Sequence, residues 1–259
     1  MTNKDILDVA LRQSAIDLGC RPEDFFAEQN SVVISRAHPE ARKYLTLPFD
    51  CNIVYYGGSV VASVSEKYAD IARAYIDRFP SEYLYEPPNL YVLDDMARPL
   101  GIRPCFVGEF FLPDMNALGA VACVYETRLL EPPAFDELYV PEWSNALCAD
   151  RRQLDVLGCG AYSENGELIG LAACSADCDT MWQIGVDVLP AYRRCGIASA
   201  LTSQLAIEII KRGKVPFYCA AWSNIRSVRN AIRSGFRPAW LELTLKSCEL
   251  VDRLNSGAE

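Results

Sequence analysis

The stretch Val188-Leu189-Pro190-Ala191-Tyr192-Arg193-Arg194-Cys195-Gly196-Ile197-Ala198, followed by Leu201, decides how the second half of this 259-residue chain is read. Pro190 ends the apolar run before it. From Gly196 to Lys211, Ile197, Ala200, Leu201, Leu205, Ile207 and Ile210 recur near helical spacing, until Gly213 supplies a stop. A strand, a tight turn and a helix are therefore predicted in that order. To hold a pyrophosphate without a metal, a chain must point several backbone N–H groups at one locus and set a helix N-terminus behind them. This stretch has the composition for that task. Gly196 lets backbone approach an anion closely, Ala198 keeps the first helical turn free of bulk, and Arg193 and Arg194 add charge. An ordinary strand-to-helix turn would carry similar residues, so the surrounding signals decide.

Working outward, Leu154 to Tyr162 and Leu168 to Ala176 read as strands about the turn Glu164-Asn165-Gly166-Glu167, where Asn-Gly tolerates the positive φ of a tight hairpin. Met181 to Leu189 continues the meander. Val215 to Trp222 reads as a strand, Asn224 to Arg233 as a helix ending at Gly235, and Pro238 to Leu245 as a last strand. Upstream, Gly119 to Leu129 reads as a strand closed by Pro132-Pro133, and Ala134 to Ala149 as a helix. The order β-α-β-β-β-α-β-α-β predicts an α+β fold, a mixed sheet with helices. A domain boundary near 115 divides the chain into 1–115 and 116–259. The first part is also mixed. It carries a helix within residues 4–18, strands at Ser31 to Ser35, Cys51 to Tyr56, Val60 to Val64 and Cys105 to Leu112, and helices at Glu66 to Arg78 and Leu90 to Leu100. It holds no phosphate loop, nucleophile elbow or metal-ligand spacing.

The net charge of −9 conceals an asymmetry: residues 181–246 hold 10 basic and 3 acidic side chains, a local +7, while residues 131–180 hold 2 and 10. A positive field inside an acidic chain suits a small polyanion better than a nucleic-acid backbone; a solvated helical face is the alternative reading. The 11 cysteines are odd in number and lie mostly in apolar runs, and the single histidine, His38, is remote from Cys174 and Cys178, so reduced thiols and no metal are expected. Residues 1–18 carry charges through an amphipathic pattern, and no apolar run approaches the roughly 20 residues that span a bilayer. A cytoplasmic protein without membrane or nucleic-acid partners is the expectation.

The pattern Val188-x-Pro190-x-Tyr192-Arg193-x-x-Gly196-Ile197-Ala198 closely resembles the acyl-CoA motif R/Q-x-x-G-x-G/A of the GNAT acyltransferase superfamily. Asn224-x-x-Ser227 and then Gly235-Phe236 resembles a second signature of that family, and the resemblance spans roughly residues 120 to 246. It implies a GNAT-type acyl-CoA N-acyltransferase fold for the C-terminal half. It further implies acetyl-CoA as cofactor, with the amides of Arg193, Arg194, Cys195, Gly196, Ile197 and Ala198 on the pyrophosphate and strand groups of Val186 and Val188 along the pantetheine arm. The Val186 N–H would polarise the thioester carbonyl, and Asn224, with Ser227 in its motif, would contact the cofactor from the neighbouring strand end. Two central parallel strands, Met181 to Leu189 and Val215 to Trp222, would splay apart to admit it.

The implied activity is acetyl transfer to a primary amine of a small molecule; a protein N-terminus or lysine acceptor, and a sensor that binds acyl-CoA without turnover, stay open. No catalytic acid or base is named. Many relatives place a tyrosine four residues before the helix-ending glycine, where this chain has Ala231, and Trp182 and Gln183 stand where some carry a glutamate. Asp177 and Asp179 either approach the cleft or are solvated. Arg226, Arg229 and Arg233 share a helix face that meets the 3′-phosphate or solvent, and Trp222 lines the acceptor pocket or the core. Cys195 sits in the phosphate turn, where its amide is the useful group. The N-terminal part is either a degenerate GNAT-like copy or an appended module that shapes the acceptor pocket or a homodimer contact.

Overall fold

The computed structural model describes residues 1–257. In chain order the elements are α1 (Asn3–Leu18), β1 (Ser31–Ile34), β2 (Cys51–Tyr55), β3 (Val60–Val64), α2 (Ala69–Ile76), α3 (Pro87–Ala97), β4 (Ile102–Pro113) and β5 (Glu126–Leu130). They continue with β6 (Asp155–Tyr162), β7 (Leu168–Ser175), β8 (Met181–Val188), α4 (Ile197–Lys211), β9 (Val215–Ala221), α5 (Ile225–Arg233), β10 (Phe236–Ser247) and α6 (Cys248–Asn255). The fold is α+β. It divides into two compact units, one formed by residues 1–10 and 111–238, the other by residues 11–110 and 239–259. These units are not the contiguous parts 1–115 and 116–259: the first ten residues group with the later segment, and most of β10 with the earlier one.

In the first unit β5, β6, β7 and β8 follow one another as antiparallel neighbours, and β8 then pairs in parallel with β9. The β6–β7 hairpin turns at Gly166, φ +79°. One face of this sheet carries Leu157, Cys159, Ile169, Ile184 and Tyr218, buried against Ile197, Leu201 and Leu205 of α4. A methyl group on Gly170 of β7 would stand 2.7 Å from Ile197 Cγ2, so glycine there lets the first turn of α4 approach the sheet. The opposite face packs Leu171 and Ala173 under Phe135, Trp143, Ala146 and Leu147.

The structure corrects two predictions in this unit. Ala134 to Ala149 is not an α-helix but a chain of short 3-10 turns at Pro132–Phe135 and Pro141–Trp143. Pro141 removes a donor and crowds the preceding turn. The amides that a helix would use bind carboxylates instead: Asn145 and Ala146 donate to Asp187, at 2.8 and 3.0 Å, and Cys148 donates to Asp155 at 2.9 Å. The strand predicted from Gly119 begins only at Glu126. Before it, Asp114 N–H donates to Gly235 C=O and Val121 N–H to Ser203 Oγ, so that backbone is satisfied by turns and a helix rather than by a ladder.

In the second unit β1 pairs in parallel with β3, β3 antiparallel with β2, and β2 antiparallel with β10 through Leu241↔Tyr55 to Leu245↔Cys51. Ile53, Ala62, Val64, Tyr75, Ile76, Leu84, Leu93 and Leu243 form its core. The helix predicted over Glu66 to Arg78 opens as a 3-10 turn at Glu66–Tyr68 and is α-helical only over Ala69–Ile76. The C-terminal α6, with Ser247 Oγ accepting from Leu250 N–H, was not anticipated.

Within this unit a small cavity of about 10 Å³ is lined by Ser14, Asp17, Arg42, Asn52 and Glu242, among others. The Arg42 side chain, 1% exposed, lies 3.3 Å from Asp17 and 3.7 Å from Glu242. Its guanidinium also stands 5.4 Å over the Trp240 ring, which stacks on Tyr56 and Phe110. Burial holds the Glu242 carboxyl above its ordinary range, against the pull of Arg42 and the hydrogen bond from Trp240.

Candidate functional site

The site is set by where β8 stops being a sheet strand. Leu189 N–H donates to Ile169 C=O at 3.0 Å, and the antiparallel register places Val188 opposite Gly170 and Val186 opposite Ala172. Hydrogen bonding alternates along such a ladder, so the N–H and C=O groups of Val186 and Val188 point away from β7, toward the side of β9. On that side the parallel register runs from Met181↔Val215 to Ile184↔Tyr218 and ends there. Yet β8 continues to Val188 and β9 to Ala221. The two strands predicted to splay therefore part after their fourth rung, and Val186 and Val188 face the opening.

Beyond β8 the chain makes a 3-10 turn at Pro190–Tyr192 and enters α4 through two left-handed residues, Arg194 at φ +68° and Gly196 at φ +80°. Left-handed residues in such a turn aim successive N–H groups at a common point. Among the described residues no acceptor takes a hydrogen bond from the amides of Arg194 through Ser199, and no side chain caps α4 at Gly196. The first turn of α4 has no acidic residue. Nothing lies within 4 Å of where a Gly196 Cβ would stand, so the turn is not plugged by the protein. Free donors, a helix N-terminus and adjacent guanidinium groups make an anion cradle.

Each residue singled out from sequence has a definite place here. Arg193 is exposed, and its Nε donates to Val188 C=O at 2.9 Å, tying the turn to the strand end. Cys195 is exposed, its Sγ 3.7 Å from Arg193 C=O. Ile197 is buried beneath the turn as the seat of α4. Asn224 caps α5, its Oδ1 accepting from Ser227 N–H at 3.2 Å, and the Ser227 hydroxyl lies 2.8 Å from Tyr218 Oη. Tyr218 was not singled out, although it occupies the last paired rung. Burial pushes its phenol up in pKa, against hydrogen bonds from Ser227 and Asn230, so it stays protonated near neutrality. Nor did sequence single out Ser199 and Asn230, which are joined at 3.0 Å beneath the turn.

Other side chains fall away from the opening. Asp177 is buried in an ion pair with Arg151, and Asp179 is exposed beside Lys214, so both are engaged at the other end of β8. Trp222 is 44% exposed just past β9, which excludes a core role. Arg226, Arg229 and Arg233 lie on the exposed face of α5. Ala231 is fully buried. Asp187 accepts from Asn145 N–H, Asn145 Nδ2 and Ala146 N–H, which commits it to holding the Trp143–Leu147 segment over β8.

The site is thus a meander whose last strand diverges from a parallel neighbour, followed by a helix N-terminus with unclaimed amides. Residues 124–236 match the acetyltransferase (GNAT) family model. Among solved structures, the chain is similar to a GNAT-family protein from Novosphingobium aromaticivorans at 20% identity, covering 56% of this chain and 66% of that one, with a TM-score of 0.40. It thus spans just under two thirds of that protein. A GCN5-related N-acetyltransferase-like protein from Streptococcus suis shares 20% identity over 61% of this chain and 69% of that one, at a TM-score of 0.45. A GCN5-related N-acetyltransferase from Kribbella flavida shares 15% over 73% and 80%, at 0.48. No curated protein matches the chain. Among the described residues no helix is long and apolar enough to cross a membrane.

Proposed function

We propose that this protein transfers an acetyl group from acetyl-CoA to the primary amine of a small molecule. The observation that carries the reading is the set of unclaimed amides from Arg194 to Ser199, beside the opening where β8 and β9 part. Acetyl-CoA, when bound, supplies an activated acyl carbonyl. The amides of Arg194 to Ala198 would hold its diphosphate, with Arg193 and Arg194 adding charge; the Arg193 N–H, expected from sequence to join them, is already given to Pro190 C=O at 3.4 Å. Val188 would bind the pantetheine arm chiefly through its N–H, because its carbonyl already accepts from Arg193. Val186 N–H, directed into the opening, is a preorganised donor for the oxygen on which charge develops. Asn224 retains its side-chain NH₂ for the ligand after its oxygen caps α5. The attacking amine must arrive unprotonated and give up a proton to solvent or to a base.

A second reading, an acyl-CoA sensor, is favoured by Ala231 at the position where many relatives have tyrosine and by the engagement of Asp177 and Asp187 elsewhere. Thiol release from acetyl-CoA, followed with a colorimetric thiol reagent across small amines and lysine or N-terminal peptides, tests both. Amine-dependent release supports transfer, and the preferred amine class separates small-molecule from protein acceptors. Calorimetric binding of CoA without amine-dependent release supports the sensor. The protein acts in the cytoplasm, where its 11 free cysteines would stay reduced, as a homodimer and without a nucleic-acid or membrane partner.

A further inference from the structure

Beneath the anion turn lies a polar network in an otherwise apolar core. Asn230 of α5, 9% exposed, accepts from Ser199 Oγ at 3.0 Å and donates through Nδ2 to Thr202 Oγ1 at 3.1 Å. Its carbonyl accepts from Ser234 Oγ at 2.8 Å, and the same hydroxyl reaches Ser199 C=O at 3.3 Å. The phenol of Tyr218 on β9 lies 2.8 Å from Ser227 Oγ on the first turn of α5. One buried amide therefore joins α4, in the turn whose amides face the opening, to α5 below its cap. Ile197, Leu201, Ala231 and Phe236 belong to the apolar core of the same unit.

Burying a primary amide among such residues is costly unless its groups are matched. A leucine of similar volume would join α4 to α5 with less desolvation. What the amide adds is direction. Apolar helix faces tolerate some sliding and rotation, whereas hydrogen bonds to Ser199 and Thr202, three residues apart, fix both the height and the rotation of the first turn of α4. Those coordinates decide where the amides of residues 194–199 point.

We infer that Asn230 is the positioning residue of the diphosphate cradle, setting the α4 N-terminus against α5 without touching the ligand. The inference rests on the acetyl-CoA reading above. Its test is Asn230→Leu, with CoA affinity measured by calorimetry and S-acetylpantetheine, which lacks the diphosphate, compared as acyl donor. The variant should bind CoA about tenfold or more weakly, because small misplacements of donors are expensive. Its KM for S-acetylpantetheine should be unchanged. CoA affinity within twofold of the parent overturns the inference, and so does an equal loss for both probes, which would mark a general packing role. If Asn230→Leu fails to fold, Ser199→Ala decides: several-fold weaker CoA binding with unchanged S-acetylpantetheine KM supports the inference, and unchanged CoA binding overturns it. Absence of CoA binding by the parent protein removes the acetyl-CoA reading itself, a result separable from either variant outcome.

Discussion

Arg193 turns back on its own strand, its Nε donating to the carbonyl of Val188 at 2.9 Å, so that the residue opening the anion turn also closes the end of β8. A charged donor to a carbonyl is among the stronger hydrogen bonds, but this one is exposed, and its worth lies in orientation. Arg193→Met should leave the melting temperature almost unchanged while raising the KM for acetyl-CoA several-fold. A steady-state titration at two salt concentrations checks this, and the parent should show the steeper loss of affinity with salt.

The turn itself pits stability against binding. Arg194 holds φ +68°, a conformation that costs a non-glycine residue roughly 1–2 kcal/mol. Arg194→Gly should therefore raise stability by up to about 1 kcal/mol and weaken CoA binding through the lost charge. Gly196→Asp should abolish CoA binding by setting a carboxylate in the open space before the amides, at a modest strain cost that leaves the fold intact. Denaturant unfolding beside calorimetry measures both, and unchanged affinity in Gly196→Asp would sink the proposed cradle.

The segment over β8 depends on one carboxylate. Asp187→Ala removes acceptors for Asn145 and Ala146 and should cost about 1.5–3 kcal/mol. Hydrogen exchange of the Asn145 and Ala146 amides should accelerate selectively. Gly185→Ala should disturb the same segment by a different route, since its Cβ would stand 1.8 Å from Asn145 C=O.

In the second unit Glu242 should make stability depend on pH. Burial raises its folded pKa above the ordinary 4.5, so between that value and the folded pKa the native state holds a proton that the unfolded chain has released. This contribution is fully present below pH 4.5 and is lost as pH rises through the folded pKa. Glu242→Gln should flatten that part of the stability profile in urea melts taken across the range. Arg42→Met should be far more damaging, about 3–5 kcal/mol, because it strands Asp17 and Glu242 without their cation.

Much of the later unit was legible in order of residues. The Asn165-Gly166 hairpin, the helix from Ile197, its stop at Gly213 and the cap at Asn224 are local consequences of φ preference, apolar spacing and side-chain capping, and all stand where the sequence placed them. Local pattern failed over residues 134–149, where Asp155 and Asp187, distant in sequence, claim the backbone amides from a helix. It also failed from Gly119 on, where the Val121 amide binds Ser203 Oγ rather than a strand.

The sequence by itself determined the turn between β8 and α4, because glycine, proline and arginine at that spacing express their chemistry through nearest neighbours. Only tertiary structure decided that Val186 and Val188 face a parted ladder, that Asp177 is spent on Arg151, and that Ser199 and Thr202 meet Asn230. Each of those facts depends on which distant strand or helix comes alongside. Such juxtapositions are settled by packing the whole chain, and no local spacing encodes them.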